Sequence, residues 1–85
     1  MLISGVKIQH LDKTLRVLVL YWDSTYAIAM ALLEIYPSLN PQEIGLARLE
    51  NLVQNLPDFL DDPTLVTERM LQDIQITWYE EYTEK

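Results

Sequence analysis

The sequence predicts a small all-α domain with a helix-turn-helix outline. Three observations carry that expectation. Apolar residues recur at spacings of three and four from Ile28 to Trp78, the signature of amphipathic helices. Each such run is bracketed by a capping residue or a proline. And 85 residues, 49% hydrophobic and 22% charged, supply one modest core and no second. No run approaches the roughly 18 apolar residues that a membrane-spanning helix needs.

Residues 1–21 form an N-terminal extension. Val6, Ile8 and His10 alternate with Lys7 and Gln9, and Leu15, Val17 and Val19 follow a polar turn at Leu11–Thr14. Period-two alternation on both sides of that turn predicts a β-hairpin. An extra helix through Leu11, Leu15, Leu18 and Trp22 fits almost as well. The segment lacks a basic start followed by a small-residue cleavage site, so it does not read as a secretory leader.

The helical signals become firm at Asp23. Either Asp23 or Ser24 can cap a first helix over about residues 24–36, with Ile28, Leu32, Ile35 and Tyr36 as its stripe. Pro37 ends it, because a proline disfavours helical geometry at the residue before it. Asn40-Pro41-Gln42-Glu43 then places a cap, a proline at the first helical position and a glutamate three residues after the cap. A short helix 41–44, a turn at Gly45 and a helix 46–56 through Leu46, Leu49, Leu52, Val53 and Leu56 follow. One bent helix over 41–56 is the alternative.

Pro57 opens a loop, Pro57-Asp58-Phe59-Leu60-Asp61-Asp62-Pro63, in which Phe59 is expected to anchor in the core. Thr67 caps the last helix, and Glu68 in its first turn complements the helix dipole. Met70, Leu71, Ile74 and Trp78 form its buried face, and Trp22 and Trp78 are expected in the core. The tail from Glu80 to Lys85 is expected to be solvated and frayed.

The residues that are missing exclude most chemistry. With no cysteine there is no disulfide, zinc knuckle or thiolate-held cluster. With His10 as the only histidine there is no two-histidine metal site, and with only Gly5 and Gly45 there is no phosphate-cradling loop. Glycosidase-type catalysis needs two carboxylates across a cleft, and a chain this short has little room for one. No enzymatic activity is expected.

Charge is segregated along the chain. The formal net charge is −7, and residues 22–85 hold Arg48, Arg69 and Lys85 against twelve acids. A surface this acidic repels phosphate backbones and favours a basic protein surface or a hard cation. The helix-turn-helix outline does not reverse this. Its second helix offers Arg48, Glu50, Asn51, Gln54 and Asn55, which sum to zero charge where a DNA-reading helix needs phosphate clamps.

Asp58, Asp61 and Asp62 are the sharpest candidate site. Their carboxylates suit a basic partner or a hard cation, and without histidine or thiolate support a cation there binds weakly. The bland alternative is that Asp62 caps a turn before Pro63 while the others are merely solvated. Glu34 and Glu43 flank the Tyr36–Pro41 connection and add to the negative surface, with Glu43 also a partner in the capping box. Glu80 and Glu81 oppose the dipole of the last helix, a placement that partner binding would explain.

Residues 22–81 resemble the IscX family of small acidic iron–sulfur cluster assembly proteins. The matching residues are Trp22, Ile28, Leu32, Tyr36-Pro37, Pro41, Leu56, Phe59, Asp61-Asp62-Pro63, Glu68, Leu71, Ile74, Trp78 and Glu81, without gaps. The resemblance implies a modified winged-helix fold for residues 22–85, without catalysis and acting as a monomer in the cytoplasm. It also implies docking by an acidic face on the cysteine desulfurase of the assembly machinery, and weak binding of ferrous iron. On this sequence the candidate docking residues are Glu34, Asp58, Asp61, Asp62 and Glu81, and the candidate weak iron ligands are Asp58, Asp61 and Asp62. The departures weaken iron binding most: Ser38, Asn40 and Leu60 stand where the family carries acids. The alternative function is an acidic helical interaction or scaffold module that binds no iron.

Overall fold

A computed structural model describes residues 19–84. Among them are three α-helices, α1 (Thr25–Ile35), α2 (Leu46–Gln54) and α3 (Glu68–Thr83), and two single 3₁₀ turns, Pro41–Glu43 and Pro63–Leu65. No strand is present among the described residues; one isolated parallel bridge joins Leu20 to Phe59. The fold is mainly helical, as the periodicity predicts. The N-terminal hairpin, its helical alternative and His10 lie outside the described residues.

Helix α1 ends as Pro37 requires, with the Tyr36 amide donating to the Leu32 carbonyl at 2.8 Å. Its start differs from expectation. Ser24 occupies the cap position, but its side chain makes no capping bond. The hydroxyl instead accepts from the Tyr21 amide behind it at 3.2 Å, while the Ser24 amide donates to the Tyr21 carbonyl at 2.9 Å. A tight turn through Trp22 and Asp23 has taken the cap's oxygen. The buried face of α1 is Ile28, Ala29, Leu32 and Leu33, whereas Ile35 is exposed.

The stretch Asn40–Gln54 divides at Gly45 as expected. Asn40 accepts from the Gln42 amide at 3.0 Å, and Pro41 starts a 3₁₀ turn. The glutamate half of the capping box is not formed among the described residues. The turn ends at Glu43, too short for a reciprocal box. Gln75 of α3 ties this turn down, donating to the carbonyls of Pro41 at 2.9 Å and Ile44 at 2.7 Å. Gly45 is the cap position of α2, in extended geometry at φ −72° and ψ 163°.

That geometry yields a prediction. A Cβ at Gly45 meets nothing within 4 Å, and the backbone there needs no glycine. Gly45→Ser supplies a capping hydroxyl and restrains the unfolded chain, raising stability by about 0.5–1 kcal/mol. Thermal unfolding should show a Tm higher by roughly 2–6 °C. A lowered Tm contradicts the open geometry.

Helix α3 is the spine. Thr67 caps it by accepting from the Met70 amide at 3.1 Å, and Leu71, Ile74 and Trp78 face the core. α1 packs along it more extensively than any other element, with α2 and the first 3₁₀ turn alongside. The expected fraying from Glu80 is corrected: the helix continues to Thr83, and Tyr82 is partly buried against the core. Tyr82 lies four residues after Trp78 and extends the same stripe.

The core also recruits loop residues. Leu20, Trp22, Ile44, Leu56 and Phe59 are buried along with the helical residues. Phe59 anchors its loop as expected, meeting Trp22 edge-on with ring centroids 4.7 Å apart and planes at 67°. Both tryptophans are core residues, as expected.

Candidate functional site

The loop from Asp58 to Asp62 gathers most of the candidate residues, and it is built against the chain entering α1. The Leu20 amide donates to the Asp58 carbonyl at 2.8 Å, and the Leu60 amide donates to the Leu20 carbonyl at 3.1 Å. Side chains alternate across such a pair. Leu20 and Phe59 point inward and are buried, while Val19, Tyr21, Asp58 and Leu60 are exposed.

The three aspartates have different tasks. Asp61 uses both oxygens on backbone amides: Oδ2 accepts from Trp22 at 2.9 Å and Oδ1 from Asp62 at 2.7 Å. The Trp22 indole N–H donates to the Asp62 carbonyl at 2.9 Å, so one tryptophan clamps this corner from both its main chain and its side chain. Asp62 Oδ1 accepts from the Thr64 amide at 2.9 Å and the Thr64 hydroxyl at 2.8 Å. It is the turn cap that the bland alternative describes. Asp58 is exposed, and its carboxylate accepts no hydrogen bond among the described residues.

The Thr64 amide, with its hydroxyl second, holds the Asp62 carboxyl below its ordinary value of 3.8. A depressed folded value means that the contribution to stability is present above 3.8 and lost as pH falls through the folded value. A carbon-detected NMR titration should place the Asp62 midpoint below 3.8, and Thr64→Ala should move it partway back. A midpoint at or above 3.8 excludes the capping arrangement.

These carboxylates do not fit a resident iron ion. Among the described residues, no three His, Asp or Glu side chains converge where a cation could sit. Asp61 has both oxygens engaged, and Asp62 spends one oxygen on Thr64. Iron at this loop is left with isolated carboxylate contacts.

Glu34 is exposed near the end of α1, and Glu81 is half-exposed in the last turns of α3. Among the described residues, no hydrogen bond or ion pair joins either to the loop. The one ion pair among them, Arg69 with Asp73 at 3.2 Å, is exposed and of little energetic weight. An open groove of about 470 Å³ lies between the first 3₁₀ turn and α3, lined by Gln42, Gln75, Ile76, Tyr79 and Glu80. It holds a single carboxylate and no second acid for acid–base work.

Leu60 is the residue that sequence reasoning undervalued, treating it only as the loss of an acid. It is 68% exposed, the most exposed large apolar side chain among the described residues. The signal was available: with Phe59 inward, alternation sends its neighbour outward.

No helix among the described residues is long and apolar enough to cross a membrane. Comparison with known proteins bears on the rest. The iron–sulphur cluster assembly family matches residues 20–83. An uncharacterized protein of Pseudomonas aeruginosa is 37% identical over 62 residues, which make up 73% of this chain and 94% of that protein. The match spans the clamp at Trp22, the aspartate loop and all three helices, and the chain therefore belongs to the IscX family of iron–sulfur cluster assembly proteins.

Proposed function

We propose that this chain serves iron–sulfur cluster assembly as an adaptor or regulator, docking by its acidic surface on the cysteine desulfurase. The family match supports the process. The observation that carries the mode of action is the charge imbalance: residues 19–84 hold twelve acids against Arg48 and Arg69. The acids of the docking surface in this reading are Glu34, Asp58, Asp61, Asp62 and Glu81.

The reading makes the chain a non-catalytic, monomeric, cytoplasmic protein with residues 22–85 as a modified winged-helix domain. It includes iron only as loosely held cargo at single exposed carboxylates such as Asp58. The hydrogen bonds that already engage the Asp61 and Asp62 carboxylates favour a second reading, in which the chain is an interaction module that binds no iron at all.

The test is a titration against the desulfurase at low salt and at about 0.5 M salt, where the Debye length falls to roughly 4 Å. Docking through complementary charge predicts affinity at least tenfold weaker at the higher salt, carried mainly by the association rate. Equal affinity at both salt concentrations rules out docking by charge, and no binding at either removes the partner. Isothermal titration with ferrous iron separates the two readings by the presence or absence of heat.

A further inference from the structure

Among the exposed apolar side chains of the described residues, two lie beside the aspartate loop on a pinned pair of backbone segments. Leu60, 68% exposed, and Tyr21, 48% exposed, are in-register neighbours across the parallel bridge, with Val19 and Asp58 paired one step before them. Residues paired in this way and pointing to one face sit side by side at strand spacing. The frame is held at several points: the two bridge hydrogen bonds, the Asp61 carboxylate on the Trp22 amide, and the Trp22 indole on the Asp62 carbonyl. Exposed apolar side chains usually lose entropy when a partner orders them; on a pinned backbone less of that cost remains.

We infer that Leu60, supported by Tyr21 and flanked by Asp58, is the apolar anchor of the docking surface, inserting into a shallow depression ringed by Lys and Arg on the partner. This rests on the proposed docking to the desulfurase and adds to it where specificity resides. The occupant follows from charge. Asp58 stands beside the anchor and Asp61 and Asp62 follow it directly, so a neutral or acidic apolar surface is disfavoured by desolvating or facing them. The division of labour in the loop supports the same assignment. Asp61 and Asp62 accept hydrogen bonds from backbone amides, whereas Leu60 and Asp58 are exposed without such a duty among the described residues.

The experiment is the same titration with the full chain and three variants, Leu60→Ser, Asp58→Asn and, as a remote exposed control, Ile76→Ser. Each replaced residue is exposed, so the fold should survive, and circular dichroism checks it. Leu60→Ser should weaken binding by about tenfold, the value of burying one leucine side chain, at both salt concentrations alike. Asp58→Asn should weaken it at low salt and flatten the salt dependence, and Ile76→Ser should change nothing.

Salt-sensitive binding by the unaltered chain that Leu60→Ser retains in full overturns the inference and leaves the docking proposal standing. Absence of any binding by the unaltered chain overturns both. Hydroxyl-radical labelling of Leu60 and Tyr21 in the free protein addresses other occupants. Protection that persists on dilution assigns this face to residues 1–18, protection lost on dilution assigns it to a second copy, and either result overturns the inference. Strong labelling in the free chain that falls on adding the desulfurase supports it.

Discussion

Replacing Trp22 by alanine should remove about 3–5 kcal/mol of stability. A domain of this size has on the order of 4–13 kcal/mol in all, so the variant sits at the edge of unfolding. The large figure follows from the number of structures that meet at this side chain. Its ring is buried and meets Phe59 edge-on, its indole N–H holds the Asp62 carbonyl, and its amide is held by Asp61. Alanine keeps the amide but abandons the ring contact and leaves the Asp62 carbonyl without its donor. Trp22→Phe preserves an aromatic contact and should lose only about 1–2 kcal/mol. Urea unfolding followed by circular dichroism measures both. A loss below about 1.5 kcal/mol for the alanine variant refutes the view that this corner depends on Trp22.

Asp61→Ala should cost about 1.5–3 kcal/mol, the usual range for hydrogen bonds to a charged group. Two backbone amides, those of Trp22 and Asp62, lose their acceptor at once. Asp61→Asn keeps one carbonyl oxygen for the Trp22 amide and should cost about half as much. Asp58→Ala, whose side chain is exposed, should lie within about 0.5 kcal/mol of the unaltered protein. Comparing the three midpoints in urea decides the matter; Asp61→Ala no worse than Asp58→Ala means that Asp61 is merely solvated. The ranking also governs how binding data are read. A variant lacking all three aspartates removes charge and unlatches the loop together, whereas Asp58→Asn changes charge alone.

The parts of the fold that were legible in the sequence are those set by near neighbours. Thr67 caps the helix that follows it, Pro37 closes the one before it, and the three-and-four spacing of Leu71, Ile74 and Trp78 marks a buried face. Each depends on residues within one or two turns. Ser24 shows the limit of such reasoning, since a hydroxyl at a cap position can serve the turn behind it as well as the helix ahead. The tail was obscured by composition: the acids at Glu80, Glu81 and Glu84 read as a solvated end and masked Tyr82 on the Trp78 stripe.

The candidate site was legible in composition but not in the roles of its members. Three aspartates in five residues look alike in a sequence. What separates them is the arrival of Leu20 and of Trp22, the latter bonded to residues 39 and 40 positions away, contacts that no local pattern encodes. Once that segment docks, Asp61 becomes a bracket for the main chain, Asp62 turns to Thr64, and Leu60 is turned outward. The prolines and acids mark the loop in the sequence, and the geometry gives its members different duties.

The two tryptophans have one further consequence, for spectroscopy. The indole of Trp22 donates to a carbonyl, whereas the N–H of the buried Trp78 meets no partner among the described residues. Both rings are buried, so the hydrogen bond is what separates them, and the indole that donates to a carbonyl should emit further to the red. Their spectral components therefore report on different events. Red-edge emission follows the loop as it opens from Trp22, blue-edge emission persists until the helices part, and a single unlabelled sample can tell local release from global unfolding.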